Sequence, residues 1–232
     1  MSRLQPKTGT QNLLAQPYNL RYYTEVIIMF YERTANKMSI SKRKLVFGIA
    51  VNDADYITSQ KINGKQLMCP YYVKWLSMLT RCYSERFHKK NPTYKDCKVC
   101  DEWLIFSNFK LWMQKQDWKG KELDKDLLFQ GNKIYSPEMC LFLNRQINTL
   151  LNERGAFRRL YPIGVTFSKE KQKFRAYISI RGITKSLGYF ATQELTHKAY
   201  SKAKDTYIKK VASEQNEPVR SALLRYKFSI ST

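Results

Sequence analysis

Apolar positions along the chain follow two periods. Between residues 173 and 180 they alternate, placing Phe174, Ala176, Ile178 and Ile180 on one face of an extended segment and Lys173, Arg175, Tyr177 and Ser179 on the other. One face calls for a core, and the other carries charge and hydroxyls. Gly182 marks a turn into a second strand over residues 184–190, and Gly164-Val165 lies in an earlier one over 161–167 that runs out in a polar Ser-Lys-Glu-Lys-Gln-Lys turn. Three strands joined by tight turns predict an antiparallel meander. After Phe190 the period lengthens. Thr192 suits an N-cap, Glu194 suits the positive end of a helix dipole, and Thr196, Ala199, Tyr200, Ala203 and Tyr207 recur three or four apart. The small Ala199 and Ala203 let such a helix lie close to the sheet.

Upstream, Trp75, Leu76, Leu79, Cys82 and Tyr83 keep helical spacing from Tyr71 onward, and this helix is expected to end before the Asn91-Pro92 turn. Trp103, Phe106, Phe109, Trp112 and Met113 fit one helix face or two short helices, and are read as core. Leu123-Asp124-Lys125-Asp126, then Gly131-Asn132-Lys133, then Tyr135-Ser136-Pro137-Glu138 read as a strand, a turn, a second strand and a helix. Ser136-Pro137-Glu138 forms the helix start because proline suits the first helical position. Residues 1–37 lack a clean period, and a compact apolar pattern begins only at Lys44-Leu45-Val46-Phe47-Gly48. Met38 resembles a second, natural start, so residues 1–43 are read as flexible or extraneous, the alternative being an arm that contacts DNA. The expected organisation is α+β in two small domains, 44–152 and 153–212, with a C-terminal tail over 213–232.

Charge narrows the partner. The 232 residues carry Lys+Arg 41 against Asp+Glu 19, a formal net charge of +22, which favours a polyanion. No run of 18 apolar residues appears, and residues 26–31 are too short to cross a bilayer, so no membrane partner is expected. The cysteines number five, with no secretory signal ahead of them, which points to free thiols in a reducing cytoplasm rather than disulfides. Cys97-Lys98-Val99-Cys100 has the spacing of half a zinc site that Cys82 or His88 would complete; the alternative is buried thiols.

With Gly164-Val165, Phe174, Ala176, Ile178, Leu187-Gly188-Tyr189-Phe190, Thr192 and the Ala199-Tyr200 to Ala203 helix pattern in place, residues 161–207 resemble the AP2 DNA-binding domain, known from plant transcription factors and phage proteins. The resemblance implies a sheet that enters the major groove of double-stranded DNA, with Thr166, Ser168, Lys171, Lys173, Arg175, Tyr177, Ser179 and Lys185 as the contacting set. Several positions that hold arginine or tryptophan in the plant pattern are Thr166, Ser168, Lys171 and Ser186 here, so no plant-type target sequence is implied. Leu123-Asp124-Lys125-Asp126, Gly131-Asn132-Lys133 and Tyr135-Ser136-Pro137-Glu138 with Cys140 resemble a degenerate HNH endonuclease motif of phage proteins that also carry an AP2 domain. That likeness implies a ββα-metal (HNH-like) frame with flanking helices.

An active HNH motif places its general-base histidine where this chain has Asp124-Lys125-Asp126, and the chain's two histidines, His88 and His197, lie elsewhere. Asp124 and Asp126 are hard carboxylate ligands two apart on a strand, and Asn132 is a candidate orienting group. Together they are the candidate catalytic residues, with Asp126 as the ligand for magnesium if the motif is active. The alternative is a polar strand end whose acids cap helices or pair with lysines. The expected function is therefore that of a phage or prophage double-stranded DNA-binding protein, acting in the cytoplasm of a bacterial host. A divalent-metal-dependent HNH or homing-type endonuclease of a mobile element is the alternative, and a basic face that meets an acidic protein is a third reading. As a DNA-binding protein it needs no cofactor; as a nuclease it needs magnesium.

Overall fold

A computed structural model describes residues 30–151 and 160–226. Over them the chain is α+β, with seven α-helices and four small sheets among the described residues. The expectations for residues 1–29 lie outside the described residues. The chain is tied into the fold ahead of the expected boundary at 44. The Ala35 N–H donates to Asp55 O at 2.8 Å, the Ile57 N–H to Arg33 O at 2.8 Å, and the Gln60 side chain to Tyr31 O at 2.7 Å. A short helix, α1 (Lys37–Ser41), follows, capped by the Asn36 side chain. Arg43 then donates to the carbonyls of Asn52, Ala54 and Tyr56, which closes the loop that leads to the hairpin β1 (Ser59–Ile62) and β2 (Lys65–Met68).

The main core sits between α2 (Pro70–Tyr83) and α4 (Phe106–Gln114). Pro70 sets the first turn of α2, and the helical spacing read upstream of Asn91 breaks at Ser84, whose hydroxyl accepts the Phe87 N–H and starts α3 (Glu85–Lys90). Trp75, Trp103, Phe106, Phe109 and Met113 are fully buried, and Trp75 Nε1 donates to Trp103 O at 2.6 Å. Trp103 lies on a 3-10 turn over Asp101–Leu104, so the second aromatic stretch forms two short pieces. Between these pieces and α3 runs β3 (Lys98–Val99).

The next segment departs from expectation. β4 (Lys121–Asp124) pairs antiparallel with β6 (Leu141–Asn144), and β5 (Ile134–Tyr135) pairs parallel with β3. No helix starts at Ser136: residues 136–139 form a turn in which the Ser136 hydroxyl donates to Glu138, and the helix α5 (Arg145–Leu151) begins only after β6. The cause is the run Cys140-Leu141-Phe142-Leu143, all four of which are buried. A continuous apolar run with both faces buried makes a strand, and that demand outweighs a local proline signal.

The C-terminal part is the meander expected from the alternation: β7 (Val165–Ser168), β8 (Lys173–Ile180) and β9 (Ile183–Phe190), in that order in one antiparallel sheet. It is followed by α6 (Gln193–Ser213), whose N-cap Thr192 accepts the Leu195 N–H. α6 outlasts the predicted period. Thr196 and Tyr200 are buried under the sheet, whereas Ile208 and Ala212 pack with Ala222 and Leu223 of α7 (Val219–Arg225) and with Leu127, Leu141, Leu143, Ile147 and Leu151. One helix thus serves two cores. No helix among the described residues is long and apolar enough to cross a membrane.

Candidate nucleic-acid interface

The sheet has two chemically distinct faces. Val165, Ala176 and Ile178 are buried against α6, and Gly164 makes the approach close enough. Gly164 has φ +79°, and a Cβ there would fall 2.1 Å from the Tyr200 ring, inside any allowed contact. On the opposite face the register pairs Thr166 with Arg175, Ser168 with Lys173, Tyr177 with Ser186, and Ser179 with Thr184. Lys171, in the β7–β8 turn, places its ammonium 4.3 Å from the ring of Tyr189, which pairs with Arg175. Seven of the eight residues expected to touch DNA, Thr166, Ser168, Lys171, Lys173, Arg175, Tyr177 and Ser179, are therefore gathered on one surface.

Lys185 is the exception and a correction to the expected set. It pairs with buried Ile178 and so lies on the helix side of the sheet. A β-bulge between Ala176 and Tyr177 causes this: Gly188 pairs with Ala176 while Ser186 pairs with Tyr177, so Leu187 is the extra residue and the alternation of β9 inverts before it. The same inversion brings Thr184 and Ser186 to the outward face, where sequence reading had not placed them. A glycine inside a strand, Gly188 at φ +126°, was the available signal.

Local hydrogen bonds hold the face. Arg175 Nε donates to Ser186 Oγ at 3.1 Å, its terminal nitrogens have no acceptor among the described residues, and the Ser179 and Thr184 hydroxyls lie 2.7 Å apart. None of Lys171, Lys173 and Arg175 forms an ion pair with a carboxylate among the described residues. A cluster of cations that outnumbers its one acidic neighbour, Glu170, sets up a field that draws in a polyanion.

Asp124, Asp126 and Asn132 are brought into one loop, but each is engaged in holding it. Asp124 Oδ1 accepts the N–H groups of Asp126 and Leu127 at 3.0 and 2.8 Å, and burial pushes its carboxyl above the ordinary value. Asp126 accepts from Lys125 at 2.6 Å, and this buried lysine also donates to Asn132 O at 2.6 Å. The Asn132 amide donates to Lys125 O and Ile134 O and its oxygen accepts the Ile134 N–H. A magnesium ion here would sit beside the Lys125 ammonium and compete with backbone donors for Asp124, so these residues do not fit a divalent-ion site.

The Cys97–Cys100 spacing fares similarly. His88 Nε2 lies 2.9 Å from Arg81 O, burial pushes the Cys82 thiol up to about 12, and no group of three His, Cys, Asp or Glu side chains converges among the described residues. No protein-family model matches the chain, and it matches no curated protein and no solved structure.

Proposed function

We propose that this is a double-stranded DNA-binding protein that lays the outward face of the β7–β9 sheet in the major groove. The observation that carries the reading is the cluster of Lys171, Lys173 and Arg175, with no carboxylate partner among the described residues, on a sheet backed by a helix. The dimensions agree: strands about 4.8 Å apart give a three-stranded ribbon roughly 10 Å across between its outer backbones, and the groove is about 12 Å wide. Thr166, Ser168, Ser179, Thr184 and Ser186 supply hydroxyls that either donate or accept, and Tyr177 and Tyr189 supply flat surface for a sugar or a thymine methyl. The AP2-like pattern in the sequence supports the same placement, and its occurrence in phage proteins supports a phage or prophage protein working in a bacterial cytoplasm. The nuclease alternative draws no support from Asp124, Asp126 and Asn132, all of which are engaged within their own loop.

A gel-shift titration with duplex DNA tests this. Lys173→Ala with Arg175→Ala should weaken binding at least tenfold at 0.1 M salt and reduce the salt slope by about 2, one for each lost phosphate neutralisation. Retention equal to the parent protein would refute the placement. Supercoiled DNA incubated with magnesium alongside should stay unnicked; nicking abolished by Asp126→Ala would revive the cleavage reading.

A further inference from the structure

An open groove of about 1450 Å³ is lined mainly by residues that precede the sheet, with Tyr226 from the end of α7. Its walls come from α2 (Lys74, Arg81), the α3 end and following turn (Phe87, Lys90, Tyr94) and the loop after β4 (Lys133), and none of its lining residues belongs to β7, β8 or β9. It exceeds the roughly 300–1,000 Å³ of a small-molecule pocket, which fits an extended ligand better than a compact one.

Its charges are unevenly satisfied. The three lining carboxylates are engaged: Glu122 accepts from Asn148 at 2.8 Å, Asp124 from two backbone N–H groups, and Asp126 from Lys125. The cations other than the buried, ion-paired Lys125 are freer. Lys74 and Lys133 each donate to one backbone carbonyl, and Lys90 is exposed with no acceptor among the described residues. Arg81 uses only Nη1, at 3.0 Å from Leu123 O and 3.5 Å from Tyr135 Oη. Its Nε and Nη2 have no acceptor among the described residues, yet they are not sealed away, since the only fully buried unpartnered side-chain nitrogen or oxygen among those residues is Trp103 Nε1. A guanidinium held on one side with two donor groups left toward a groove is a ready phosphate ligand. Phe87 and Tyr94, edge to face at 5.5 Å, form an apolar wall beside Lys90.

We infer that this groove is a second nucleic-acid site, which takes the phosphates of a single nucleotide strand on Arg81, Lys90 and Lys133 and rests bases against Phe87 and Tyr94. Aromatic wall and cation row together are the means by which single strands are held without sequence preference. The site does not depend on the duplex reading of the sheet.

The test uses the full chain carrying Lys173→Ala and Arg175→Ala, so that the contribution of the sheet is reduced and is the same in every variant compared. Anisotropy of a labelled six-nucleotide oligothymidylate should report binding that falls tenfold or more on adding Lys90→Ala and Lys133→Ala, with a salt slope lower by about 1.4. Arg81→Gln should weaken it further; should that variant melt early, the Lys90 and Lys133 pair decides. Unlabelled thymidine monophosphate should compete poorly. Equal binding with and without the groove substitutions overturns the inference, and competition by the mononucleotide at the oligonucleotide's own concentration overturns the strand in favour of a free nucleotide.

Discussion

Gly164 sets a limit on the docking of helix to sheet that one methyl group would break. Gly164→Ala places a Cβ 2.1 Å from the Tyr200 ring and forces a side chain into φ +79°, so the ring or the strand has to move. We expect a loss of stability of about 3 kcal/mol or more, read as a lower melting temperature, with duplex binding lost in parallel because β7 no longer aligns with β8. Unchanged melting would mean that Tyr200 has room to turn away. Asp124 makes a prediction of the opposite sign. Burial raises its carboxyl, so the folded chain holds this proton more tightly than the unfolded chain does. Its contribution to stability is therefore fully present below the ordinary value of 3.8 and is lost as pH rises through the raised folded value. Asp124→Asn keeps the acceptor for Asp126 and Leu127 without the ionisation, so its melting temperature relative to the parent should climb from pH 3 upward and then level off. A variant that weakens as pH rises would show that the charge itself is needed. At this scale period two placed Lys173, Arg175, Tyr177 and Ser179 on the outward face, the AP2 resemblance added Thr166, Ser168 and Lys171, and Lys185 was misplaced because a single bulge residue, Leu187, reverses the alternation.

Among the elements, α6 has the most to test. Thr206 is exposed and sits between the half that backs the sheet and the half that meets α7. Proline there removes a helical N–H and clashes with the preceding turn, at a cost of about 3 kcal/mol or more. Heating Thr206→Pro should give two transitions where Thr206→Ala gives one, because the two cores are no longer joined by a continuous helix. A single unshifted transition in the proline variant would sink this view of the helix. The start of α6 could be read from Thr192, which caps it, but its end could not, since Ile208 and Ala212 are specified by partners more than 50 residues away, such as Leu143 and Ile147. β6 shows the same rule in reverse. Ser136-Pro137 carried a sound local helix signal, and the tertiary demand of Cys140–Leu143 for burial on both faces overrode it.

For the whole molecule, the fold class followed from alternating and helical periods in separate stretches, while the pairing of β3 with β5 and β4 with β6 did not. Such short ladders carry little pattern of their own. Their register is set by the aromatic core around Trp75 and Trp103. The groove was equally hidden, because Arg81, Lys90 and Lys133 are unremarkable cations until α2, α3 and the loop after β4 bring them together.

The helix common to both cores also limits how the three-stranded sheet could be inherited as a unit. A cassette excised at the end of the predicted helical period would carry away half a helix, leave Leu141, Leu143 and Ile147 uncovered in the donor and expose fresh apolar surface in the recipient. A recombination event that keeps both cores intact has to carry sheet and groove together, and under the proposed function a change of specificity comes by substitution on the outward face rather than by shuffling.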